Sequence, residues 1–140
     1  MSVPDRDGAV RSTGSADGRR QLEVFLMFGI SLNKSQRARL REHLTDSNAT
    51  TRDLAAQALG AAHDRESFEA LLKLLATQRP RDSLGIAWAI AEIGKAEPDA
   101  REQALDAVSR YRLRARGHAR AHAQELVRDL GVIPRHVVDE

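Results

Sequence analysis

Apolar residues recur along this chain at three- and four-residue steps, the period of a helix with one buried face. Outside residues 22–32 no run of β-branched or aromatic residues alternates with the period of a strand. The pattern predicts six short helices between residues 35 and 131. The first, capped by Ser35, passes through Arg39, Leu40 and Leu44 to the polar turn Asp46-Ser47-Asn48. Thr50 or Thr51 caps the second, which carries Leu54, Ala55, Ala58 and Leu59 and closes at Gly60. The third opens at Asp64, carries Phe68, Leu71, Leu72 and Leu75, and is halted before Pro80, because the residue preceding a proline is pushed out of helix. Asp82 or Ser83 caps the fourth, with Ile86, Ile90 and Ile93, which stops at Gly94. Pro98 suits the first turn of the fifth, with Ala104, Leu105 and Val108. The sixth runs from about Gly117 through Leu126 and Val127 to Leu130 and Gly131, with residues 112–117 as the turn before it.

The flanks read differently. Residues 1–18 are rich in Ser, Gly, Asp and Arg without an apolar period, which predicts a disordered arm ahead of a helical domain over 19–131. The segment Leu22 to Leu32 holds eight large apolar residues and reads as a helix, with a strand as the alternative. It is about half the ~20 residues that a membrane span requires. The polar start, with Asp5, Asp7 and Asp17, is unlike a signal peptide, so a cytoplasmic location is expected. Residues 132–140 form a short tail in which Pro134 ends any helix and Val137-Val138 could dock on the body or on a partner.

Superimposing Gly60, Gly94 and Gly131, at spacings of 34 and 37 residues, exposes a repeat. One position before each glycine stand Leu59, Ile93 and Leu130; four before stand Ala56, Ile90 and Val127; five before stand Ala55, Ala89 and Leu126. Those positions share one helical face. The segment Thr51-Arg52-Asp53-Leu54-Ala55-Ala56-Gln57-Ala58-Leu59-Gly60 resembles the second helix of a HEAT repeat, in its polar turn, its arginine, its paired alanines and its terminal Leu-Gly. The next copy has Ile86 in place of that arginine, and the third has Ala123. The resemblance covers roughly residues 35–131 and implies an all-α fold: a short right-handed α-solenoid of about three HEAT-like helix pairs, with residues 22–32 as an N-terminal capping helix. An open end of such a solenoid is sticky, so the alternative to full capping is that part of 22–32 stays exposed as a homodimer or partner contact.

Composition bears on how such a chain packs. With 140 residues it is sized for one domain, and Leu, Ile, Val and Phe number only 32, so Ala must supply much of the packing. The absence of Cys excludes a disulfide scaffold, a thiolate nucleophile and cysteine-ligated metal. A net charge of +2 conceals an uneven distribution of 19 Arg against three Lys. Residues 107–124 contain Arg110, Arg112, Arg114, Arg116 and Arg120, with His118 and His122, and no Asp or Glu.

No phosphate loop, nucleophile elbow or paired catalytic carboxylates occur, and the chain reads as a non-enzyme without cofactor. His118 and His122, four apart, would share a helical face, but the surrounding arginines disfavour a cation and no metal site is assigned. Guanidinium forks suit carboxylate or phosphate recognition. A protein partner with an acidic surface is therefore the leading expectation, and a nucleic-acid duplex backbone the alternative. Tyr111 is the lone aromatic in the patch, which argues against base stacking on single strands. Trp88 falls opposite the apolar face of its helix, beside Leu84, Ala91 and Lys95, and serves either as core or as an exposed anchor. Register across the repeats aligns it in a stripe with Leu54, Glu125 and Arg128, which extends the expected partner surface.

Overall fold

A computed structural model describes residues 32–131, which form six α-helices and no strand among the described residues. The helices are α1 (Lys34–His43), α2 (Ala49–Ala61), α3 (Phe68–Thr77), α4 (Leu84–Ala96), α5 (Arg101–Arg114) and α6 (Gly117–Gly131). Short 3-10 turns, Arg65–Ser67, Pro80–Asp82 and Pro98–Ala100, lead into α3, α4 and α5. The expected arm 1–18, the segment 22–32 apart from Leu32, and the tail 132–140 lie outside the described residues.

Two helix starts differ from expectation by two or three residues. Asn33, not Ser35, caps α1: its side chain accepts from the Gln36 N–H at 2.8 Å while Gln36 Oε1 accepts from the Asn33 N–H at 2.9 Å. Asn48, not Thr50 or Thr51, caps α2 by accepting from the Thr51 N–H at 3.0 Å. In each case an asparagine earlier in the chain reaches the third helical N–H, and the hydroxyl residue falls inside the helix.

The core is built around α4, which packs against α2, α3, α5 and α6. Ile86, Ala87, Ala89, Ile90, Ala91 and Ile93 are all fully buried, so this helix is apolar nearly all round, and Ala91 belongs to the core rather than to an outer face with Trp88. Around it α1 lies on α2, α3 on α4 and α5 on α6, while α2, α4 and α6 touch in succession and α3 touches α5. Arg65 in the turn before α3 pairs with Asp99 before α5 at 3.0 Å, and Arg114 at the end of α5 donates to Leu75 O in the last turns of α3 at 2.7 Å. Matching ends therefore meet, and α3 and α5 run parallel. Tyr111, fully buried, donates its hydroxyl to Pro80 O at 2.7 Å and ties α5 to the turn before α4.

Gly60 and Gly94, two of the glycines aligned in the repeat, do not end their helices as expected, since these run on to Ala61 and Ala96. Helix α2 continues to Ala61 and stops in a Schellman motif, in which His63 takes φ 54° and donates to Gly60 O at 3.0 Å, and the Asp64 N–H donates to Leu59 O at 3.0 Å. Gly60 instead marks a close crossing: a Cβ there would stand 2.6 Å from Ala89 Cα in α4. Gly94 plays the same part, its absent Cβ lying 2.5 Å from Ala104 Cβ in α5. Gly131 has nothing within 4 Å among the described residues. Two of the three glycines are thus contact points between helices.

Buried polar groups join successive helices. Asp64, almost fully buried, accepts from Arg41 Nε at 2.8 Å and from Arg37 at 3.3 Å, locking α1 to the corner after α2. Burial pushes this carboxyl up, but the two guanidinium groups outweigh it and hold it below the usual carboxylate range. Asp53 of α2 accepts from the Ile86 N–H at 3.1 Å and so caps α4 across the helix interface. Gly85 leaves room for it, since a Cβ there would collide with the Asp53 carboxylate and the Gln57 amide. Burial raises the Asp53 carboxyl, and bonds from Gln57 and the α4 backbone oppose this. Asp53→Ala is expected to cost about 1–2 kcal/mol, the range for loss of a helix cap, in urea denaturation. Asp53→Asn should retain most of the stability.

His43, at the end of α1, is buried, and its Nδ1 has no hydrogen-bond partner among the described residues. Burial lowers its pKa against the opposing pull of Asp46 and Glu42, while Arg39 lowers it further. The folded chain thus binds this proton less readily than the unfolded one. Its contribution to stability is complete above about 6.5, the ordinary histidine value, and is lost as pH falls through the lowered folded value. The melting temperature should therefore drop on mild acidification, and His43→Leu should flatten that slope.

Candidate functional site

The basic patch is shaped by where α5 ends. Helix α5 extends to Arg114 because Ala104, Val108, Tyr111 and Ala115, on one face, are buried against the core to the end. The linking turn is thus only Ala115-Arg116, not residues 112–117, and the left-handed Gly117, φ 56°, starts α6. Arg110, Arg112 and Arg114 stand on α5, Arg116 in the turn and Arg120 on the first turns of α6.

These arginines differ in what holds them. Arg114 donates to Leu75 O and, at 3.4 Å, to Gln78 O, and its guanidinium lies 5.9 Å from the Tyr111 ring centroid. It satisfies carbonyls at the end of α3, where a cation also complements the helix dipole. Arg110 forms a surface pair with Asp106 at 3.2 Å, the kind worth little in water. Arg112 is half-buried, and its Nε is enclosed without a hydrogen-bond partner among the described residues. Arg116 and Arg120 are exposed and have no ion-pair partner among the described residues. His118 and His122 stack obliquely, ring centroids 6.2 Å apart, beside them. No group of three or more His, Asp or Glu residues able to hold a metal occurs among the described residues.

The expected stripe divides by exposure. Leu54 and Trp88 are half-buried and pack on the core, with the Trp88 ring 3.2 Å from where a Gly60 Cβ would stand. Glu125 and Arg128 on α6 are exposed. Glu92, one turn beyond Trp88, pairs with Lys95 at 2.8 Å and lies 3.9 Å from His63.

A feature missed in the sequence is an open groove of about 560 Å³ between α3 and α5. Leu72, Ala76, Ala107 and Leu113 form its apolar part, with Asp106, Arg110 and Arg114 among its polar lining. Leu113, 67% exposed, is the one large hydrophobic residue standing open among the described residues. The sequence carried a signal for it. Residues 104, 108, 111 and 115 mark the buried face of α5, and Leu113 falls off that face.

Compared with known proteins, the chain matches no family model, no curated protein and no solved structure. No helix among the described residues is long and apolar enough to cross a membrane.

Proposed function

We propose that the chain is a short HEAT-like α-solenoid that serves as a non-enzymatic protein-binding module, offering its α5–α6 corner to an acidic surface of a cytoplasmic protein. The solenoid reading is supported by the succession of contacts α2 to α4 to α6, with α3 on α5, and by the shared use of Gly60 and Gly94 as crossing points. The binding reading rests on one observation: Arg116 and Arg120 stand exposed, with no ion-pair partner among the described residues, at a corner whose flanking sequence, residues 107–124, lacks any acid. Paired guanidinium groups free of internal partners keep their forks available to carboxylates.

The test is co-purification on the tagged full chain from its native cells. A protein retained by the wild type and lost by Arg116→Glu/Arg120→Glu, at unchanged melting temperature, is the expected result. Retention of duplex nucleic acid instead, with a steep salt dependence abolished by the same pair, would replace protein by a nucleic-acid backbone as the partner. Equal capture by wild type and variant would remove the corner from function.

A further inference from the structure

The charges around the α3–α5 groove are ordered along its length. Glu69, Glu102 and Asp106 stand toward the starts of the two helices, and Lys73, Arg110 and Arg114 follow them. No acid occurs from residue 70 to 81 or from 107 to 124, so the order is the same on both helices. Of the bases at the acidic end, Arg65 is shared by Asp99 and Glu69, and Arg101 donates to Leu130 O of α6. Each helix dipole favours acids at its start and bases at its end, and because α3 and α5 run parallel the two orders add. A second copy of this face laid parallel would set like charge on like. Laid antiparallel, it sets acid on base at both ends.

The lining contributed by α5 is also matched about Arg110. Ala107 and Leu113 lie three residues to either side of it, and Asp106 and Arg114 lie four. Two copies of α5 set antiparallel across a two-fold axis at the level of Arg110 bring Leu113 of each to the level of Ala107 in the other, where Leu72 and Ala76 complete an apolar hollow. The same rotation brings Asp106 of each to the level of Arg114 in the other. Knob and hollow are thus each used twice, as an isologous contact requires. Arg110 falls on the axis, but its own Asp106, at 3.2 Å, accompanies it there. Arg114 gives its short bond to Leu75 O through one nitrogen, and the rest of its fork can meet a carboxylate. The face measures about 20 Å along the helices and about 20 Å across the pair. Several hundred Å² from each copy is the low end of interface sizes, so the association depends on concentration.

We infer that the chain forms a weak two-fold dimer through its α3–α5 faces, with Leu113 of each copy seated over Leu72, Ala76 and Ala107 of the other and Asp106 meeting Arg114. The contact is independent of what the α5–α6 corner binds. It covers the one large apolar side chain that stands open among the described residues.

Sedimentation equilibrium of the full-length chain should show monomer and dimer exchanging with concentration. Leu113→Asp, at an exposed position, should weaken the dimer by roughly tenfold or more at unchanged melting temperature, since both copies then bury an unpaired charge. The register has its own test. The chain has no Cys, so Arg110→Cys places a single thiol beside the axis, and Gln124→Cys places one at an exposed position on α6. The first should oxidise to a covalent dimer about tenfold faster than the second, through its higher effective concentration. A chain that stays monomeric at every concentration would overturn the dimer and leave the groove to a different protein. A dimer unchanged by Leu113→Asp would overturn it by placing the contact on another face. Equal oxidation of the two cysteine variants would overturn the antiparallel register.

Discussion

Gly60→Ala should lower stability by about 2–3 kcal/mol, the cost of overpacking at a tight contact. The sign is the informative part. Glycine inside a helix is ordinarily a weakness, and replacing it by alanine gains about 0.5–1 kcal/mol through the unfolded chain and helix propensity. Here the new methyl would stand 2.6 Å from Ala89 Cα and 2.7 Å from its Cβ, with the Trp88 ring at 3.2 Å. The nearest obstacle is backbone, so relief requires α2 and α4 to separate, and α4 is the helix on which most of the core converges. For a region of this size the loss corresponds to a melting temperature lower by roughly 10–20 °C. Gly131→Ala is the control: nothing among the described residues lies within 4 Å of that site, so the same substitution should be neutral or mildly stabilising. If Gly60→Ala instead stabilises the chain in thermal and urea unfolding, the crossing at Gly60 is not as close as described.

Arg41→Ala should cost about 3 kcal/mol, the lower part of the range for stranding one member of a buried ion pair. Asp64 is 2% exposed, and Arg41 supplies its shortest bond, at 2.8 Å, together with a second from the same guanidinium at 3.3 Å. Arg37, at 3.3 Å, would remain as partial compensation, which keeps the loss from being larger. The contribution is specific to the pair, so Arg41→Ala in an Asp64→Asn background should cost far less, and a double-mutant cycle will measure the difference. The pH dependence follows from the depressed carboxyl. The pair's stabilisation is present above the ordinary Asp value of about 3.9 and is lost as pH falls through the lower folded value. The gap between wild type and Arg41→Ala should thus narrow in acid. A gap that is constant from neutral to acidic pH would show that Arg41 acts through packing and not through the carboxylate.

The six helices were legible because the apolar residues of each recur at helical spacing and the boundaries carry polar turns, a proline or a glycine. Phe68, Leu71, Ile86, Ile90, Ala104 and Val108 all stand in the core where their spacing places them. Boundaries were less legible where two residue types compete for one role. Asn33 and Asn48 take the caps from nearby hydroxyl residues, and His63 takes the left-handed position that Gly60 resembles. The arginine patch was visible as composition, but not the separate duties within it. Arg114 is consumed by carbonyls of α3, 36 and 39 residues away in sequence.

The sequence by itself determined the helical class, the period of the repeat and the local excess of arginine, because these depend on residue spacing along a single helix. Tertiary structure alone decided which glycines are contact points, which carboxylates are buried and paired, which arginines remain free, and that Leu113 opens onto a groove. Each of those depends on the distance between groups from different helices, and a distance across an interface is set only when the helices pack.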